Sequence, residues 1–187
     1  TAEIKLPELS ALQFVALYPL MPYQVELIIN VVSGLRTQGG ASKHVGGANR
    51  TIIKLAQQLL VNPQVDLAHK EIGQLVTLEH IYDLVSGNIE SEVRGKITDI
   101  PKLVSHPMAQ AVAKTVCMLQ FVKTVHRTAE NIAAMLHTAV DSDSTLPLVR
   151  EALTELERAM LVRKGDDGYR IPSPVEDDWE RSRSALE

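Results

Sequence analysis

Arg150, Thr154 and Arg158 recur every four residues after Thr145, so a helix there sets all three on one outward face. Arginine donates paired hydrogen bonds to phosphates and guanine edges, and a threonine hydroxyl reaches base edges of several kinds. This is the chemistry of DNA contact. Arg163, Lys164 and Arg170 flank the turn Gly165-Asp166-Asp167-Gly168, where cations would meet phosphates and set the register of the protein on a duplex. Glu151, Glu155 and Glu157 share the helix with the arginines, and carboxylates repel phosphate. The same face therefore fits docking onto a protein equally well. Arg50 is a separate candidate. It opens an apolar helix, an end at which the helix dipole disfavours a cation, and such a local conflict marks either a functional arginine or a solvated one.

Other chemistries fail on spacing. No Gly-x-x-x-x-Gly-Lys-Ser/Thr sequence is present; in the glycine-rich stretch Gly39 to Gly47, Ser42 precedes Lys43, and the stretch joins two helices. It reads as a turn, not a phosphate cradle. The six histidines, 44, 69, 80, 106, 126 and 137, show no metal-ligand spacing, and His80 with Asp83 reads as a solvated pair. No serine sits in a Gly-x-Ser-x-Gly elbow. The expectation is a binding segment with no catalytic residue, no metal and no cofactor of its own.

The formal net charge of -4, from 19 basic and 23 acidic residues, departs from the strongly basic balance of an autonomous nucleic-acid binder. Any DNA contact must come from a local patch. Hydrophobic residues make up 45% and aromatics only 4%, so an aliphatic core of packed helices is expected. The single cysteine, Cys117, lies in an apolar run and reads as a buried thiol, and cysteine usage this sparse suits a reducing cytoplasm. No apolar stretch approaches the ~18 residues of a membrane span. The chain begins at Thr1 and ends Ala185-Leu186-Glu187, which reads as a piece of a larger protein.

These candidates need elements to position them. Residues 1–21 alternate weakly. Pro22 opens a helix with Val25, Ile28, Ile29, Val32 and Leu35 on its stripe, closed by Gly39-Gly40. A second helix carries Ile52, Ile53, Leu55, Ala56, Leu59 and Leu60 and stops before Pro63; residues 61–74 read as polar linker. A third is expected from a Thr77 cap to about Ile97, with a break at Asp99-Ile100-Pro101. This divides the chain into a helical domain, 1–103, and a second domain, 104–187. The second starts with a helix over about 108–125, a break at His126-Arg127-Thr128, and a short helix over 129–136 capped by Thr128. A Thr145-capped helix follows, with Pro147 in its first turn and a buried stripe of Val149, Ala152, Leu153, Leu156 and Met160. Period-two strands are expected at 161–164 and 169–171. Helix, short helix, helix and hairpin in that order make a winged helix-turn-helix. The expected fold is mainly α.

The sequence also resembles a known family. Pro22-Tyr23-Gln24, Gly40-Ala41-Ser42 with His44, and Arg50 at a helix start are similar to the large P-loop ATPases of bacteriophage-exclusion (BREX) systems, of the BrxC/PglY type. So are Lys70-Glu71-Ile72-Gly73-Gln74-Leu75-Val76, Ile81-Tyr82-Asp83, Tyr169-Arg170-Ile171 and Trp179-Glu180. The resemblance spans roughly residues 17–181. It implies a non-catalytic segment following the ATPase core of an antiphage-defence protein: an AAA-lid-like helical bundle, then a winged helix. It further implies that the parent binds ATP and magnesium, that Arg50 senses the nucleotide, and that DNA or other defence-system proteins are partners. The architecture also fits a winged-helix transcriptional regulator or an origin-recognition-like replication ATPase.

Overall fold

A computed structural model describes residues 10–38, 48–173 and 175–177, the backbone alone at 38 and 48–52. The chain is mainly helical: α1 (Ala11–Leu17), α2 (Pro22–Gln38), α3 (Ala48–Val61), α4 (Leu78–Val85), α5 (Ser91–Leu103), α6 (Ala109–Leu119), α7 (Ala129–Met135) and α8 (Leu146–Arg158). One antiparallel hairpin, β1 (Arg163–Gly165) with β2 (Gly168–Arg170), completes the described architecture. Among the described residues no single helix is long and apolar enough to cross a membrane.

Several elements differ from expectation, each for a local reason. The weakly alternating start contains α1, nucleated by a reciprocal cap: Ser10 Oγ accepts from Gln13 N–H and Gln13 Oε1 accepts from Ser10 N–H. The single helix expected from 77 to 97 is two, because a 3-10 turn at Ser86–Asn88 redirects the chain between α4 and α5. Pro101 does not break α5. It leaves the Ile97 carbonyl without its helical donor, and Gln110 Nε2 supplies one at 3.1 Å, while Val104 N–H closes the last turn on Ile100. The helix α6 stops at Leu119 rather than near Val125, since Phe121 and Val122 donate three residues back in tight turns.

The segment 61–74, expected as linker, is tied into the fold. Val65 is buried, a 3-10 turn spans Leu67–His69, and Gly73 to Val76 is a hydrogen-bonded strap. Gly73 N–H donates to Tyr18 Oη at 2.8 Å, Val76 N–H to Pro19 O, Leu75 N–H to Thr138 O, and Val140 N–H to Gly73 O. Buried Gln24 clamps the same strap, accepting from Met21 N–H through Oε1 and donating to Val76 O through Nε2 at 2.6 Å. Tyr23 Oη donates to Ala134 O, so the start of α2 also touches α7.

One hydrophobic cluster runs from Leu27 to Ile171. Its axis is α6, whose Val112, Ala113, Val116, Met118 and Leu119 are wholly enclosed by neighbouring helices. Cys117 lies in this core, and burial pushes its thiol up to about 12, as an inert core thiol requires. Between α4 and α6, Lys114 Nζ bridges Glu79 (3.1 Å) and Asp83 (2.8 Å) beneath the Tyr82 ring. Burial opposes the Lys114 charge, but the hydrogen bond to Asp83 and the two carboxylates outweigh it and leave the pKa raised. Asp83 therefore serves Lys114 rather than His80, whose Nδ1 instead accepts from Thr77 N–H at the start of α4.

Candidate binding surface

The sequence places Pro147 in the first turn of α8, and the stripe Val149, Ala152, Leu153 and Leu156 pulls one face into the core. Thr145 precedes the helix as expected, but its hydroxyl donates to Ala133 O of α7; Ser144 Oγ takes the Leu146 N–H instead. Met160 departs from the expected stripe. It is 65% exposed and left-handed (φ 58°), turning the chain off α8 so that Leu161 and Val162 fold back onto Leu156 O. This reversal shifts β1 two residues later than the sequence pattern indicates.

Arg150, Glu151, Thr154, Glu157 and Arg158 are exposed on α8, as their spacing requires. Their chemistry is less open than their placement. Arg150 Nη2 is engaged by Glu130 of α7 at 2.7 Å, and that hydrogen bond heads the causes holding the Glu130 carboxyl below its usual range. Thr154 Oγ1 donates to Arg150 O one turn back, within its own helix. Arg158 lines a shallow groove of about 430 Å³ with Leu103, Val104, Ser105, Glu155 and Ala159. Exposed Leu103 adds apolar area to this groove, and Leu148, in the first turn of α8, and Met160, just past its end, are exposed as well.

The hairpin divides its three cations. Side chains alternate across a strand, and the register pairs Arg163 with Arg170 and Lys164 with Tyr169. Arg163 and Arg170 therefore occupy one face, Lys164 and Tyr169 the other, and the three cations do not converge on a single phosphate track. Lys164 Nζ sits 5.9 Å from the Tyr169 ring centre. Burial first, then the charges of Glu157 and Glu130, raises the Tyr169 hydroxyl pKa, with Arg150 opposing, so this face adjoins α8 and α7. Arg170 is held by Glu176 at 2.6 Å.

Arg127 was expected only as part of a break, yet it locks the hairpin. Its N–H donates to Asp167 O, its carbonyl accepts from Tyr169 N–H, and its Nε donates to Tyr169 O at 2.7 Å. Gly168 (φ +95°) makes this approach possible, since a Cβ there would collide with the Arg127 carbonyl. Thr128 caps α7 as expected, accepting from Asn131 N–H. The partners Glu130 and Tyr169 carry no spacing signal that ties them to α8. Ser173-Pro174-Val175-Glu176 does carry one, the pattern of a reciprocal helix cap.

Arg50 belongs to the first turn of α3 by its backbone; its side chain, the stretch Gly39 to Gly47 and Trp179-Glu180 lie outside the described residues. The residues Tyr23-Gln24 and Gly73 to Val76, distant in sequence, meet in the clamp described above. Among the described residues no group of three His, Cys, Asp or Glu is placed to hold a metal ion. Compared with known proteins, the chain matches no family model and no solved structure.

Proposed function

We propose that residues 109–171 form a winged helix-turn-helix, and that the chain is the lid-plus-winged-helix segment of a BREX-type ATPase. In this reading it is non-catalytic and passes the nucleotide state of an ATPase core to a partner bound on α8. One observation carries the winged-helix reading: the chain between α6 and α7 pairs at Arg127 with Gly168, adding a third chain to the hairpin that follows α8. Order and pairing together match a helix-turn-helix with a wing.

The surface chemistry favours a protein partner on α8 over a DNA groove. Glu130 brings a carboxylate onto this face at Arg150, Thr154 bonds its own helix, and Glu151 and Glu157 stand exposed between the arginines, so the face carries more acids than bases. Exposed Leu148, Met160 and Leu103 supply the apolar anchors that protein interfaces use. ATP and magnesium would belong to the parent's core, because this chain carries no Walker sequence. Arg50, in the first turn of α3, is the candidate sensor of that nucleotide.

Two experiments test the reading. DNA titrations of this chain at low salt should give weak binding that Arg150→Ala and Arg158→Ala leave unchanged. Tight, steeply salt-dependent binding abolished by those substitutions would mean α8 reads DNA. In the parent ATPase, Arg50→Ala should lower ATP turnover without shifting the melting temperature, and unchanged turnover would remove the sensor role.

A further inference from the structure

The hairpin face bearing Arg163 and Arg170 lies opposite Lys164 and Tyr169, and Glu176, from farther along the chain, closes on Arg170. Arg170 Nη1 donates to Glu176 at 2.6 Å. Lys96, reaching across from α5, pairs with Asp177 and donates to Pro172 O at 2.9 Å. Ser173 fixes Glu176 in place: its N–H donates at 2.9 Å and its hydroxyl at 3.2 Å, while Glu176 N–H donates back to Ser173 Oγ. Adjacent residues 176 and 177 thus each neutralise one cation, one on the hairpin and one on α5.

We infer that Lys96 and Arg170 form a binding surface for the phosphodiester backbone of a nucleic acid, occluded in this chain by its own Glu176 and Asp177. The surface is distinct from the α8 face and does not depend on what binds there. The geometry already seats two anionic groups, and a guanidinium donates to phosphate oxygens through the same fork that holds a carboxylate. A nucleic acid has an advantage over the internal carboxylates that a short acidic peptide lacks, because each neutralised phosphate releases condensed counterions. Arg163, across the strand pair from Arg170, extends the basic face along the hairpin. Ordinary acidification leaves the cover in place. The Ser173 N–H, then Arg170, hold the Glu176 carboxyl at about 2, so it stays charged and is displaced only by competition.

The test is fluorescence anisotropy of a labelled DNA duplex against the wild-type chain and Glu176→Gln/Asp177→Asn. Glutamine at 176 still completes the reciprocal cap with Ser173, so the turn is kept. Freeing two partly exposed ion pairs should tighten low-salt binding roughly three- to tenfold and steepen its salt dependence. Adding Lys96→Gln and Arg170→Gln should erase that gain. An unchanged affinity overturns the proposal, as does a gain that survives loss of Lys96 and Arg170, or one that the charge-matched loss of exposed Lys54 and Lys123 erases equally, which would reflect net charge alone. Competition by polyglutamate equal to that by DNA overturns the phosphodiester assignment. Should the double variant lose its cooperative melt, Glu176→Gln alone serves; it should tighten binding roughly twofold, and no change overturns the inference.

Discussion

Gly168 and Met160 are both backbone decisions, and they point in opposite directions. Gly168 needs its missing side chain twice, for its positive φ and for the Arg127 carbonyl that touches it. Gly168→Ala should cost about 2–3 kcal/mol in urea denaturation, since strain and collision add. Met160 takes a left-handed conformation that glycine adopts freely, and its side chain is largely in solvent. Met160→Gly should therefore stabilise by about 0.5–1 kcal/mol, read as a higher denaturation midpoint with unchanged slope. Glu176 supplies a titration prediction. Its folded pKa of about 2 lies below the ordinary 4.5, so its contribution is full above about pH 4.5 and fades as pH falls toward 2. Glu176→Gln should flatten acid unfolding in that window. At this scale the sequence was a good guide to position and a poor one to availability. Spacing put Arg150 and Arg158 on the outer face of α8, but nothing in it ties Glu130 to Arg150. Period two separated Lys164 from its neighbours Arg163 and Arg170, a consequence visible only once the register was known.

At the level of elements, helices with a continuous apolar stripe were legible, and breaks were not. α7, α8 and the start of α2 follow capping and periodicity that the chain states openly. Pro101 misleads because its effect depends on a residue in another helix, Gln110, which takes the orphaned Ile97 carbonyl. Gln110→Ala should uncover that buried acceptor and cost about 1–2 kcal/mol, more than the same change at exposed Gln57. The division of the expected third helix hangs on the polar Ser86-Gly87-Asn88, too short to outweigh the apolar pattern on either side of it. Lys114 joins two elements by charge. Replacing it with methionine strands Glu79 and Asp83 between α4 and α6 and should destabilise by about 1–3 kcal/mol, measured by chemical denaturation. If the pair were merely solvated, that substitution would be neutral.

For the whole molecule, the expected boundary at residue 103 falls between two helices, α5 and α6, that share one core. The clamp of Tyr18, Gln24 and the Gly73 to Val76 strap adds hydrogen bonds from the first part of the chain to the turn at Thr138 and Val140. No periodicity announces such links, because they join single residues far apart in sequence. Residues 104–187 alone would bare the α6 side that α4 and α5 now cover, so that piece should lack the cooperative melt of the intact chain. Hydrogen–deuterium exchange on the proposed parent ATPase, with and without ATP, tests the proposed transmission from its core to α8 most directly. ATP should change protection at the start of α3 and along α8 together, and Arg50→Ala should abolish both changes. Identical exchange along α8 in the two nucleotide states would contradict it.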